Sequence, residues 1–250
     1  MRLLIVAVAV LAVHSSFAQQ VIHVENRRLA DTTQGLRGDV TLQANLVQNL
    51  NDIFQTNNLG QLWYNKGRHQ LLSITAFNLT VFNENRIVND GFQHFRYTYK
   101  LTPKVAPEMF AQVQYNELLK IGFRSLSGAG ARFTVIDNDS TKSKLFVGLS
   151  YIYEYEEETT GKFVRAHRAN LYVSIGFPIA RWLTFDGIAY FQPNVAVLHD
   201  IRSSAEIILD VTITRRLSLM IVHSLVYDGE PPEGVRNLFY NFRNGLRYRF

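Results

Sequence analysis

With 250 residues, 47% of them apolar and 19% charged, the chain has room for one large domain or two small ones, and its lack of cysteine excludes a disulfide scaffold, thiolate catalysis and cysteine zinc sites. Lys and Arg outnumber Asp and Glu by 26 to 21, but they are scattered singly, so the net charge of +5 does not form a nucleic-acid footprint. Seventeen Phe and twelve Tyr are many for an ordinary cytosolic domain and call for a physical reason.

The first element reads as an address. Arg2 supplies a positive start, an apolar run extends from Leu3 to Val13, and His14-Ser15-Ser16-Phe17-Ala18 closes it with small and polar residues. This layout is that of a secretory signal peptide over 1–18. The small residues Ser16 and Ala18 place cleavage before Gln19. The apolar run is about half the ~20 residues that a membrane-spanning helix needs. With no cysteine after the cleavage point, a bacterial lipid anchor is excluded. Residues 19–35 then form an N-terminal periplasmic segment, and 36–250 form the barrel described next.

From residue 36 onward, apolar and polar positions alternate in segments separated by polar turns, and a period of two means strands. The pattern predicts twelve of them, over 36–50, 53–65, 68–83, 91–101, 106–117, 121–136, 143–157, 163–177, 182–193, 201–213, 217–228 and 237–250. In the fourth, Phe95, Tyr97, Tyr99 and Leu101 oppose His94, Arg96, Thr98 and Lys100. In the seventh, Leu145, Val147, Leu149, Tyr151, Tyr153 and Tyr155 oppose Lys144, Gly148, Ser150, Glu154 and Glu156. In the tenth, Ile201, Ala205, Ile207, Leu209, Val211 and Ile213 oppose Arg202, Ser204, Glu206, Asp210 and Thr212. The last is the clearest: Leu238, Tyr240, Phe242, Leu246, Tyr248 and Phe250 share one face, interrupted only by Asn244, while Asn241, Arg243, Gly245, Arg247 and Arg249 share the other.

An even strand count closes an antiparallel barrel. Tight turns at 65–68, 178–181 and 214–216 are expected at the periplasmic end, and longer polar loops at 83–90, 194–200 and 228–237 at the outer end. The turn from 137 to 143 is longer than its end predicts. The rival fold is a soluble sandwich or lipocalin-like barrel, which also alternates. Against it stand the length of the strands and the aromatic residues near their ends: Tyr64, Phe82, Phe92, Tyr99, Tyr115, Tyr155, Phe177, Trp182, Phe191, Tyr227 and Tyr240. Interfacial girdles of a transmembrane β-barrel account for that placement.

If the apolar face meets lipid, the other face fills the lumen, where charges need partners or water. The candidate lumen charges are Asp39, Arg96, Glu108, Arg124, Arg132, Glu154, Arg168, Asp186, Glu206, Asp210, Arg243 and Arg247. A hairpin centred near Lys120 places Glu108 opposite Arg132, and one centred on the 158–161 loop places Glu154 opposite Arg168. Closing the last strand on the first brings Arg247 and Arg249 toward Asp39. Such facing charges either line an ion pore or cross-link a closed interior. Twelve strands lie between filled eight-stranded barrels and water-filled porins, and a plugged or very narrow lumen is the preferred reading.

No Walker loop, HExxH or GxSxG is present. Gly128-Ala129-Gly130 lies inside a strand pattern and marks a bend or close packing rather than a phosphate loop. The seven histidines lack metal-ligand spacing, so neither a metal nor a cofactor is expected. His223-Ser224 is the one pair that suggests an outer-membrane phospholipase, but adjacent strand residues point to opposite faces. The acidic run Glu154 to Glu158 is more simply a solvated loop end than a cation site.

The chain resembles the outer-membrane family of domain of unknown function 481, the salt-induced outer membrane protein family, in the version common in Bacteroidota. The resemblance is carried by Glu25-Asn26-Arg27-Arg28, by the stretch from Gly91 to Phe133, by YIYEYEEE from Tyr151 to Glu158, and by PPEGVRNLFYNFRNGLRYRF from Pro231 to Phe250. It implies an outer-membrane barrel with no assigned activity and no catalytic residues to carry over. It also implies that the terminal strand, through Leu246, Tyr248 and Phe250, is the signal read by the barrel assembly machinery. The expected partners are therefore outer-membrane lipid and that machinery, with a small solute or ion in the lumen. The expected role is a structural or narrow-channel envelope protein linked to osmotic or salt conditions. A lipid- or carbohydrate-acting enzyme and a surface-binding protein working through its outer loops are the alternatives.

Overall fold

The computed structural model describes residues 34–48, 52–138 and 140–249. Twelve strands lie among them: β1 Gly35–Gln48, β2 Asp52–Lys66, β3 His69–Phe82, β4 Asn85–Tyr99, β5 Val105–Asn116, β6 Ile121–Asn138, β7 Ser143–Glu158, β8 Phe163–Ala180, β9 Leu183–Pro193, β10 Ile201–Thr212, β11 Leu217–Asp228 and β12 Leu238–Arg249. Each pairs antiparallel with its chain neighbour, and β1 pairs with β12, so the sheet closes with no free edge. The signal peptide and residues 19–33 of the 19–35 segment lie outside the described residues, and Gly35 of that segment belongs to β1.

The strands run from eleven residues in β9 to eighteen in β6 and β8. All reach the ~9–11 residues that a tilted strand needs to cross a bilayer. The outward face is an apolar coat: Leu42 is 63% exposed, Phe95 57%, Leu149 57% and Phe242 43%. A water-soluble barrel turns that face inward, whereas a transmembrane barrel presents it to lipid. Tyr64, Phe191, Tyr227 and Tyr240 also stand exposed, as interfacial residues should. Phe92 does not: it is 5% exposed on the inner wall, because it shares parity with Asp90, His94 and Arg96.

Two other expectations change. Residues 83–90 are not a loop. Phe82 pairs with Asn85, and Asn83 and Glu84 alone make the turn at φ values of 45° and 67°. Positive φ at both central positions gives the turn whose twist suits a hairpin, and the polar residues after it belong to β4. The 137–143 segment likewise reduces to the short connection 139–142. Among the described residues only the connections 194–200 and 229–237 are long, and both lie at the end away from the chain termini.

Strand parity follows the sequence, but register does not. Glu108 stands opposite Gly130 rather than Arg132, and Ile152 rather than Glu154 stands opposite Arg168. In each hairpin the turn centre lies one residue from the expected position, which moves the pairing by two and leaves every side chain on its face. A bulge between Gln114 and Asn116 accompanies the first shift. Asp39 does lie opposite Arg249.

The lumen is filled unevenly. Leu59 and Trp63 from β2, Leu72, Ile74 and Ala76 from β3, and Phe92 from β4 form a buried apolar cluster on one inner wall. Ile208, Met220 and Val222 form a second on β10 and β11. In those sectors both faces of the sheet are apolar, one against lipid and one packed inside.

Candidate functional site

The rest of the inner wall is polar, and all twelve candidate charges face it, in three tiers. The tier nearest the long loops is built on β6, β7, β8 and β10. Glu154 receives Arg168 Nε at 2.6 Å, Arg124 Nε at 3.1 Å and the Arg202 guanidinium. Arg124 and Arg202 also reach Glu156, the latter at 3.2 Å, and Arg202 Nε lies 3.0 Å from Asp228. Arg168, 2% exposed, donates through Nη2 to both oxygens of Asp200, at 3.0 and 2.9 Å. Through Nη1 it donates to the carbonyls of Gln192 and Asp200. A buried guanidinium is tolerable only when its donors are used, and these bonds tie the 194–200 loop to the wall.

The middle tier centres on Glu108. Its carboxylate accepts from Arg96 Nη1 at 3.2 Å, Thr98 Oγ1 at 3.3 Å and Tyr172 Oη at 3.1 Å, and Arg132 Nε lies 3.5 Å away. Arg96 and Arg132 also lie over the rings of Phe110 and Phe146, at 5.3 and 4.6 Å. Two glycines make room for this tier: a Cβ at Gly128 would strike Phe110, and one at Gly148 would strike Tyr172. Gly128 and Gly130 thus serve close packing of the wall, and a Cβ at Gly130 would overlap Ser150 and the Leu149 backbone.

The third tier lies toward the chain termini. Glu206 accepts from Ser224 Oγ at 2.9 Å and Arg243 Nη2 at 3.2 Å. Asp210 takes Arg247 at 2.8 Å and also Arg249. Asp186 lies in the wall beside this pair, and Asp39 is buried opposite Arg249. The expected approach of Arg247 and Arg249 to Asp39 thus holds in the backbone, while their side chains reach across to Asp210.

Arg202 and Glu156 stand on polar strand faces by alternation yet are not among the candidate charges, and alternation does not single out Asp200, Asp228 and Tyr172 as parts of the network. Asp200 and Asp228 sit at strand ends, where parity carries no signal. Tyr172 reads in sequence as one more aromatic of a strand. Of the residues expected to form the assembly signal, Leu246 and Tyr248 are exposed on the outward face of β12, and Phe250 lies outside the described residues.

Two of the cavities in the lumen, one toward each end, share no lining residue. The outer one, about 150 Å³, has Arg96, Glu108 and Tyr172 at its floor, with Gln112, Asn170, Tyr190 and Gln192 around it. Pro231, Pro232 and Val235 line it from above. The 229–237 loop is therefore folded over the mouth, and Lys120 Nζ, from the β5–β6 turn, donates to the Glu233 carbonyl at 2.6 Å. The inner cavity, about 420 Å³, begins below the Glu108 tier with Thr98, Ala106, Arg132 and Phe146.

Charge is also divided along the axis. Among the described residues, the connections at the end carrying the chain termini hold Arg68, Lys100, Lys104, Lys142, Arg181, Arg215 and Arg216. Those at the other end hold Glu84, Glu117, Asp200, Glu230 and Glu233 beside Lys120, Lys162 and Arg236. Among the described residues no three His, Cys, Asp or Glu side chains converge as metal ligands do.

A family model described as protein of unknown function, DUF481, matches residues 52–250. The chain belongs to that family. No functionally curated protein matches it. Among solved structures, the NanC porin superposes with a TM-score of 0.52 at 13% identity, covering 86% of this chain and 100% of the porin. The translocator domain of the autotransporter NalP from Neisseria meningitidis gives 0.50 at 10% identity, covering 90% of this chain and 92% of that domain. At these identities the likeness is one of fold. This DUF481 member has the closed barrel of outer-membrane porins and translocators.

Proposed function

We propose that this DUF481 barrel is an exported outer-membrane envelope protein whose lumen is shut at rest and passes small solutes or ions when its middle tier opens. The observation that carries this reading is the separation of the two cavities by the Glu108 tier. A purely structural wall needs no chambers on either side of a divider, and an open porin has no divider. The tier consists of side chains rather than a backbone plug, so rotamer changes suffice to part it.

The 229–237 loop favours a lid over a surface-binding role, since its prolines face the outer chamber. We assign the barrel no catalytic role: Ser224 is 1% exposed and bonded to Glu206 inside, while its neighbour His223 lies on the opposite face. A response to osmotic or salt conditions fits a closure built from ion pairs, because salt screens such pairs wherever water reaches them. Planar-bilayer recording of the purified protein tests the reading. Brief small currents are expected from the wild type and larger, longer ones from Glu108→Ala; no ion flux from either, in any salt, would overturn it.

A further inference from the structure

The outward face of β7 and β8 carries side chains that an aromatic girdle does not require. In β8 every outward residue from Ala169 to Ile179 is apolar, and that stretch matches the ~9–11 residues that a tilted strand needs to cross the hydrocarbon core. Beyond it, before Phe163, β8 turns His167 and Arg165 outward. Both are exposed, and both stand at the level of lipid headgroups at the end away from the chain termini. Toward the same end β9, β10, β11 and β12 turn Phe191, Ser203, Tyr227 and Tyr240 outward, none of them a cation.

Register sets Arg165 opposite Tyr155 and His167 opposite Tyr153. The Arg165 guanidinium lies 5.9 Å from the centre of the Tyr155 ring and pairs with no carboxylate among the described residues. His167 sits between Tyr151 and Tyr153, with ring centres 5.9 and 5.3 Å away, and its Nδ1 shares a hydrogen bond with the Tyr151 hydroxyl. A hydroxyl donated to Nδ1 keeps the ring proton on Nε2, which then points to a ligand as a fixed donor. The acids of this sector divide by parity. Glu154, Glu156 and Glu158 are buried on the lumen side, while Glu157 is outward, opposite Phe163 and one outward position beyond the Tyr155–Arg165 pair. Lys162, in the turn, pairs with Glu158 at 3.3 Å.

We propose that this face of β7 and β8 binds the phosphate monoester on the headgroup of an outer-leaflet lipid. The Arg165 fork takes two phosphate oxygens, His167 Nε2 and the Tyr153 hydroxyl supply further donors, and the tyrosine rings hold the headgroup at the interface. The site rests on the outer-membrane placement of the barrel and not on conduction, since it lies on the outside of the wall.

The test is native mass spectrometry of the full folded barrel released from neutral detergent micelles that contain diphosphoryl lipid A or its phosphate-free form. One lipid A is expected to stay bound, and the phosphate-free lipid is expected to be lost. Arg165→Gln with His167→Gln should weaken retention about tenfold or more, with the folded heat-modifiable gel band kept. Glu157→Gln, which removes the one outward acid of this sector, should strengthen it, a change that a merely structural role would not produce. Equal retention of the two lipids, unchanged retention in both variants, or displacement of lipid A by millimolar inorganic phosphate would overturn the site. Lipid A bound to a barrel that carries no current would support the site while sinking the channel reading, and current from a barrel that retains no lipid would do the reverse.

Discussion

Replacing Glu108 by Ala removes a carboxylate that Arg96 and Arg132 share. Arg96 and Arg132 are 7% and 8% exposed, and Thr98 and Tyr172 lose an acceptor as well. If the tier stays dry, an uncompensated buried charge costs about 3–5 kcal/mol. For a chain of this size 1 kcal/mol at the midpoint is worth roughly 2–4 °C, so the heat-modifiable transition should fall by roughly 6–20 °C. If water floods the tier instead, the guanidiniums are hydrated and the midpoint falls by less, but the two cavities join and the bilayer current rises. The two readouts therefore trade against each other. Heating the folded protein before electrophoresis and recording single-channel current on the same preparation measure both. A midpoint within about 2 °C of wild type together with unchanged current would refute the idea that Glu108 holds the divider.

Other outcomes follow from the same geometry. Gly148→Ala places a Cβ into the Tyr172 ring and should displace its hydroxyl from Glu108, giving a weaker form of the Glu108 phenotype in both assays. Glu154→Gln weakens three charged hydrogen bonds while Glu156, Asp200 and Asp228 still compensate the guanidiniums, and should cost about 1.5–3 kcal/mol of stability. Glu230→Gln, whose contact is a surface pair with His199, should change stability by less than about 1 kcal/mol. Equal shifts for the two would contradict the burial argument. Deleting Phe250 should lower the amount of folded barrel recovered from cells, read as loss of the fast-migrating unheated band; an unchanged band would remove it from the assembly signal.

Much of the barrel is legible in the amino-acid sequence because a strand's side-chain period is two. In β12 and β7 one face is almost wholly apolar and the other almost wholly polar, so strand, face and approximate ends follow from parity. Alternation fails where its premise fails. In β3, Leu71 and Leu72 are both apolar, because Leu71 meets lipid and Leu72 packs inside the lumen. At 85–90, polar residues that resemble a loop belong to a strand whose Asp90 receives Asn78 Nδ2 at 2.6 Å across the inner wall. Phe92, read as a girdle residue, is a lumen residue for the same reason of parity.

The sequence by itself determined how many strands form and which side chains point to lipid or lumen, since both depend only on local period. The charge partners were decided by the tertiary structure alone. Glu108 meets Arg96, Arg132 and Tyr172 because β4, β5, β6 and β8 bring them to one level of a curved wall, although Glu108 and Tyr172 are 64 residues apart. Register, set by turn centres and bulges, moves pairs by two residues without disturbing the alternation. Whether the lumen is open or divided depends on those pairs, and so could not be read from a pattern of period two.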